Sequence, residues 1–363
     1  MLKHTLTAAL SAAALAAGLL AAPTPSTAAP KDKPTPAARH LAPTKTHFDL
    51  QAHRGGIGLN TESSIASFSA ALELGVSTLE LDTQVTEDGK VVVTHDRKIN
   101  GNVCRDTAPA FAGDPEFPYV GKFITNLTLA QVKTLECGHQ PKPGYDRQKA
   151  TPAPMIELKD VFALVKERKA RQVMINVETK VEAAAPHETA PREFFVRTVN
   201  DEIVKSGLQR QVTVQSFDWG ALMEMHRINP RMPLVALTNH DFLQVGKEGA
   251  SPWLGGIDAD DFGGDFVKAA ASIDGVTALS PVYGMPQNGK VSDPDFAFYV
   301  TPKMVAEAHA LGLKVIPWTS NDRETMEALV DMGIDGLITD YPDVLREVMD
   351  ERGMRLPKAY PAR

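Results

Sequence analysis

The chain predicts an α/β fold: a (β/α)8 TIM barrel with an extra antiparallel hairpin arm and a disulfide-tied insertion. Three observations carry this. "LELGVSTLELD", "KSGLQRQVTVQS", "HALGLKVIPW" and "VDMGIDGLITD" each end a helical stretch on glycine and start a strand soon after. Repeated helix–Gly–strand units build a parallel sheet. About eight such strands follow one another, near 49–54, 78–84, 173–179, 212–217, 234–238, 276–281, 314–318 and 336–339, which favours a closed barrel over an open sheet. No glycine-rich dinucleotide fingerprint follows the first strand; the glycines of "HRGGIG" are wrongly spaced for one.

The N-terminus comes first in order. "MLKHTLTAALSAAALAAGLLAAP" has a basic start, an Ala/Leu core and then "PSTAAP", which suits cleavage near Ala28 or Ala29. Residues 1–29 are expected to be a secretory signal peptide, so the mature protein is expected to be secreted, extracellular or periplasmic. The apolar run is short for a membrane anchor and lacks a stop-transfer flank, so no stable membrane insertion is expected. Residues 30–45, rich in Pro, Ala and Lys, read as a disordered linker. The barrel domain is expected over 46–352, with a C-terminal tail over 353–363.

Composition narrows the function classes. A net charge of −7 with no Lys/Arg block argues against nucleic acid or an anionic membrane as partner. Nothing in the sequence specifies a protein partner. The two cysteines, Cys104 and Cys137, are expected to pair in an oxidising compartment, and neither has zinc-site spacing. Both fall in a long insertion, about 97–172, in which "LTLAQVKTLECG" and "LKDVFALVKERK" look helical. A second insertion covers 241–275.

In barrels of this kind chemistry gathers at the C-terminal ends of the strands. The first strand ends in His53-Arg54. The second carries Glu80 and Asp82, two apart and so on one face. The third ends in Glu178, with Lys180 beyond it, and the fourth in Gln215-Ser216. The segment "STLELDTQVTEDGKVVVTHD" reads as a hairpin about Asp88-Gly89. A two-residue turn there pairs Glu87 with Lys90 and sets Asp82 opposite His95, so Glu80, Asp82 and His95 share a face.

Three carboxylates without cysteine suggest a hard divalent cation, Ca²⁺ or Mg²⁺, on Glu80, Asp82 and Glu178. His53 and His95 beside it suggest general acid and general base. Arg54 and Lys180 supply positive charge for an anionic, phosphate-bearing small molecule. The set reads as metal-assisted phosphoryl chemistry.

These residues carry a resemblance. "AHRGGIGLNTESSIASFSAALELGVSTLELDTQVTEDGKVVVTHD", with "NVETK", "VQSF" and "PWTSND…MGIDGLITDYP" in the same order, resembles the glycerophosphodiester phosphodiesterases. The resemblance implies a barrel and hydrolysis of glycerophosphodiesters to glycerol 3-phosphate and an alcohol. It implies His53 and His95 as the acid/base pair, and Glu80, Asp82 and Glu178 as metal ligands. It also implies Arg54, Lys180, Glu62 and Trp318 around the substrate. One departure stands out: where the family usually has Pro-Glu-Asn-Thr, this chain has Thr61-Glu62-Ser63-Ser64.

Other readings stay open at this stage. A phospholipase D-like hydrolase of lysophospholipid or sphingomyelin could use the same barrel. Metal-dependent enolisation or sugar isomerisation fits the carboxylates but leaves the paired histidines unexplained. A non-catalytic phosphate-ester binding protein would not need them. Glu62 also fits a first-turn helix acid, Trp318 a core residue, and Asp340 a cap after the last strand. "GIDADDFGGD" lacks full calcium-loop spacing and reads as a solvated loop.

Overall fold

The computed structural model describes residues 47–362. The expected signal peptide and linker lie outside the described residues. Eight parallel strands form the frame: Asp49–Ala52, Thr78–Val85, Met174–Thr179, Val212–Ser216, Leu234–Thr238, Val276–Pro281, Lys314–Val315 and Gly336–Thr339. They pair in chain order, and the eighth returns to the first. At the remaining seam, Asp335 N–H donates to the Val315 carbonyl and Ile338 N–H to the Pro317 carbonyl, each at 2.9 Å. The expected TIM barrel is therefore present.

The alternation of the strands sorts the core into two layers. In the second strand Leu79 and Leu81 join the large apolar layer between strands and helices, with Ile175 and Val177 of the third. The intervening Glu80 and Asp82 point the other way, into the barrel. Part of that interior is apolar, built on Val235, Ala278, Ile316 and Ile338. The rest is a polar relay. Asn176 donates to Gln51 (3.0 Å) and to Gln215 (2.7 Å), and Gln215 donates to Glu80 (2.7 Å). Each buried amide thereby has a partner, which burial requires.

The hairpin arm, Val91–Val93, corrects one expectation. It pairs as Thr83↔Val93, Gln84↔Val92 and Val85↔Val91, one residue out of the predicted register. The loop has three residues, Glu87 to Gly89, with Gly89 in the left-handed region (φ 68°). Thr86 selects it: its hydroxyl accepts from Lys90 N–H (2.9 Å) and donates to Asp88 (2.7 Å). Three-residue hairpin loops use this left-handed glycine. Asp82 consequently faces Thr94, whose N–H donates to the Asp82 carbonyl (3.1 Å). A continued pleat would turn His95 away from Asp82. The strand stops at Val93 instead, and a bend at His95 returns its side chain to the same cavity as Asp82.

The insertion after this arm has its own small core, including Ile99, Tyr119, Ile124, Leu127 and Leu135. Cys104 and Cys137 pair across a two-residue antiparallel ladder and are disulfide-bonded. The helix Leu158–Glu167, expected inside the insertion, buries Leu158, Val161, Phe162 and Val165 in the main core. It is the crossover between the second and third barrel strands, so the insertion ends before it. The disulfide closes a loop of 33 residues. Replacing both cysteines by serine is expected to cost about 3–4 kcal/mol from loop-closure entropy, read by denaturant titration. Beyond the last helix, Pro342–Glu351, the chain packs back: Tyr360 is buried and its N–H donates to the Leu72 carbonyl (2.7 Å). Among the described residues no helix is long and apolar enough to cross a membrane.

Candidate active site

The first strand ends at Ala52 and the chain turns sharply through His53–Gly55. Arg54 adopts the left-handed region (φ 51°), which costs a non-glycine residue energy and needs fixed partners. It has them: Arg54 N–H donates to Glu80 Oε2 (3.0 Å), and its carbonyl accepts from Ser63 N–H (3.0 Å). Gly55 follows at φ 81°, where a Cβ would lie 2.6 Å from Ser67 Oγ. The turn itself thus requires glycine at position 55.

Glu80, Asp82 and Glu178 converge. Asp82 and Glu178 are register partners on adjacent strands, and the three residues offer oxygens within 4.8 Å of one another. All three are buried. Burial, with the Asp82 and Glu178 charges, raises the Glu80 pKa well above the carboxylate range. Burial, together with Asp82, likewise pushes Glu178 up to about 8 despite Lys180. Asp82 moves the other way: burial opposes its charge, but Arg54, His95 and Lys180 outweigh it and hold its pKa low. Asp82 Oδ2 is buried without a hydrogen bond, although Arg54 Nε lies 3.2 Å away. Crowded carboxylates, an orphaned oxygen and an all-oxygen donor set fit a hard divalent cation.

Cationic groups ring this cluster. Arg54 Nη1 lies 2.6 Å from Glu62, and Lys180 Nζ 3.1 Å from Glu178 and 3.7 Å from Asp82. Glu62 is not a helix acid. The helix Ile65–Leu74 starts after it, capped by Ser64, and Glu62 is buried between Arg54 and Lys142 (2.6 Å). Ser63, at the departure from the family pattern, adopts φ 54°, a region asparagine tolerates better, and its buried hydroxyl is unpartnered.

Both histidines are backed by a carboxylate. His53 Nδ1 lies 2.5 Å from Asp340 Oδ1; Asp340 Oδ2 accepts from Asn321 (2.6 Å) and from Tyr145 (3.1 Å). His95 Nδ1 lies 2.7 Å from Asp96, whose other oxygen accepts from Asn100 (2.6 Å). A carboxylate only accepts, so each Nδ1 carries the proton and Nε2 is left for a ligand. Burial, then Arg54 and Lys180, push the His95 pKa down to about 4. The carboxylates, both histidines, Arg54, Lys180 and Trp318 line one cavity of about 340 Å³. Trp318 donates its indole N–H to the Ser280 carbonyl (3.0 Å) and meets Phe217 edge-on.

A family model for the glycerophosphoryl diester phosphodiesterases matches residues 53–344, from His53 to beyond Asp340. The chain belongs to that family. A glycerophosphodiester phosphodiesterase of Caldanaerobacter subterraneus subsp. tengcongensis is 24% identical over 302 residues, 83% of this chain and 98% of that one. A lysophospholipase D of Homo sapiens is 25% identical over 310 residues, 82% and 85% of the two chains. Among crystal structures, a candidate glycerophosphoryl diester phosphodiesterase of Silicibacter pomeroyi DSS-3 superposes with a TM-score of 0.68 at 25% identity, covering 86% and 96%. As a member of the family the chain is a phosphoric diester hydrolase.

Every site residue read from the sequence of this phosphodiesterase lines the cavity, except Glu62, which reaches it through Arg54. Sequence reasoning passed over Asp340 as a cap, although its place after the eighth strand was a signal. Gln215, one of the polar residues at the end of the fourth strand, holds Glu80. Lys142, Tyr145 and Asn100 arrive from the insertion, where no periodicity marks them.

Proposed function

We propose that the chain hydrolyses glycerophosphodiesters to glycerol 3-phosphate and an alcohol, with a divalent cation held by Glu80, Asp82 and Glu178. One observation carries this: the acidic cluster, two cationic side chains and two carboxylate-backed imidazoles share one cavity at the strand ends. When bound, the cation would supply Lewis-acid charge at the phosphoryl oxygens. Arg54 and Lys180 orient the same oxygens and offset the charge that builds on them. One imidazole accepts at Nε2 the proton of the nucleophile, either water or the substrate's 2-hydroxyl whose cyclic phosphate water then opens, and the other donates a proton to the departing alcohol as its P–O bond breaks. Asp340 and Asp96 fix the two rings and stabilise their protonated forms. Glu62, salt-bridged to Lys142, holds the Arg54 guanidinium in place.

The N-terminal apolar stretch and the Cys104–Cys137 pair support action outside the cytoplasm. Asp340→Asn is expected to lower kcat about 10²–10⁴-fold, because the amide no longer fixes the His53 tautomer, with less effect on KM; steady-state kinetics on glycerophosphocholine reads it. The substrate class is tested by incubating the purified protein with glycerophosphocholine and with lysophosphatidylcholine. Glycerol 3-phosphate from the first supports the reading. Turnover of the lipid alone replaces it with a phospholipase D-like activity.

A further inference from the structure

A second cavity, of about 500 Å³, opens from the active site past Trp318, His95 and Lys180. One wall is aromatic. Trp318 meets Phe217 edge-on at 5.3 Å, Phe217 meets Phe242 edge-on at 5.3 Å, and Phe242 stacks on Trp253 at 4.4 Å. Phe242 and Trp253 come from the segment after the fifth strand, in the short turns His240–Phe242 and Pro252–Leu254. None of the four rings is fully buried, so each keeps free surface.

The rest of the lining is charged. Glu182 and Glu188 share the Arg97 guanidinium, Glu188 at 2.7 Å. Two carboxylates on one guanidinium leave a negative charge over. Glu178 belongs to the carboxylate cluster, and the rest of the lining balances three carboxylates against three cationic side chains, so the negative field is local to Glu182 and Glu188. This differs from the phosphate position, where Arg54 and Lys180 concentrate positive charge.

Resting on the hydrolase reading above, we infer that this cavity receives the alcohol half of the substrate, and that it selects a quaternary ammonium head group such as choline. The chemistry follows from both walls. Aromatic faces attract a cation through their quadrupoles, and a trimethylammonium group also buries methyl surface on them. The carboxylates, each already paired with Arg97, act mainly through their field; a primary ammonium, more strongly hydrated than a trimethylammonium, loses more on leaving water for the aromatic wall. An acyl chain would have to desolvate the charged wall. A zwitterionic diester therefore matches the site along its length: phosphate at Arg54 and Lys180, ammonium at the rings. The glycerol half is left to the polar cavity that adjoins the site at Tyr145 and Asp340.

The test has a catalytic and a binding arm. The ratio of kcat/KM for glycerophosphocholine to that for glycerophosphoglycerol is expected to be about tenfold. Phe242→Ala and Trp253→Ala should bring the two substrates close to parity, mainly through KM, whereas Trp253→Phe, which keeps a ring, should retain the preference. Free choline should change the tryptophan fluorescence of the wild-type protein, and its uncharged carbon isostere should not. Hydrolysis of both esters at equal efficiency, or no response to choline, overturns the inference while leaving the hydrolase reading intact. A choline response without hydrolysis of any ester overturns the hydrolase reading and supports the pocket.

Discussion

Replacing His53 or His95 by alanine is expected to lower turnover of a glycerophosphodiester by about 10²–10⁴-fold, the range of a general acid or base. The fold should survive. Both imidazoles sit at the strand ends, outside the apolar core, and keep some exposure. The far-ultraviolet circular dichroism of each variant should therefore match the wild type, with a lower thermal midpoint for His53→Ala, which takes a partner from buried Asp340. The double variant should lose little more than either single one, because the two rings serve one proton exchange. Wild-type turnover in either single variant would remove that ring from the mechanism.

Glu178→Gln is expected to have opposite effects on activity and on the stability of the metal-free protein. It replaces one of the three anionic ligands by a neutral amide oxygen, so binding of Ca²⁺ or Mg²⁺ should weaken and turnover should fall with it. The stability effect follows from linkage. In the folded metal-free protein Glu178 holds its proton up to about 8, against an ordinary glutamate value of 4.5. Between those values the folded state binds more protons than the unfolded state, so stability falls as pH rises. The metal-free wild type should thus melt at progressively lower temperature from about pH 4.5 to about pH 8. Glutamine cannot ionise, and Glu178→Gln should make that decline shallower, Glu80 keeping its own share, and melt higher at pH 8 without metal. Added cation should restore the wild type, with proton release on binding and tighter binding at higher pH. Scanning fluorimetry across pH, with and without chelator, reads each part. A flat wild-type profile would show that the carboxylates are not crowded as described.

What the sequence made legible follows from how a barrel uses its strands. Apolar strands that end in polar residues stand out, and Glu80-x-Asp82, Glu178 and His53-Arg54 were all of that kind. Two-residue spacing sufficed to put Glu80 and Asp82 on one face, and the alternating Leu79 and Leu81 take the face toward the helices. Asp340 ends the eighth strand by the same rule, but a lone acid before a helix equally reads as a cap. Its partnership with His53 bridges 287 residues of chain and exists only because the barrel brings its first and eighth strands together. The hairpin register turned on a finer choice. Asp-Gly serves two- and three-residue loops, and the Thr86 hydroxyl on Lys90 N–H decided between them. His95 reached the site by a bend at the strand end that no pairing rule specifies. Lys142 and Tyr145 come from an irregular insertion whose path depends on its own core and its disulfide.

The central claim is that Glu80, Asp82 and Glu178 hold a divalent cation that hydrolysis requires. It is tested most directly by glycerol 3-phosphate release from glycerophosphocholine before chelation, after chelation, and after return of Ca²⁺ or Mg²⁺. Loss of product with chelator and its recovery with one of these cations is the predicted result. Undiminished release from protein shown to be free of metal would contradict the account.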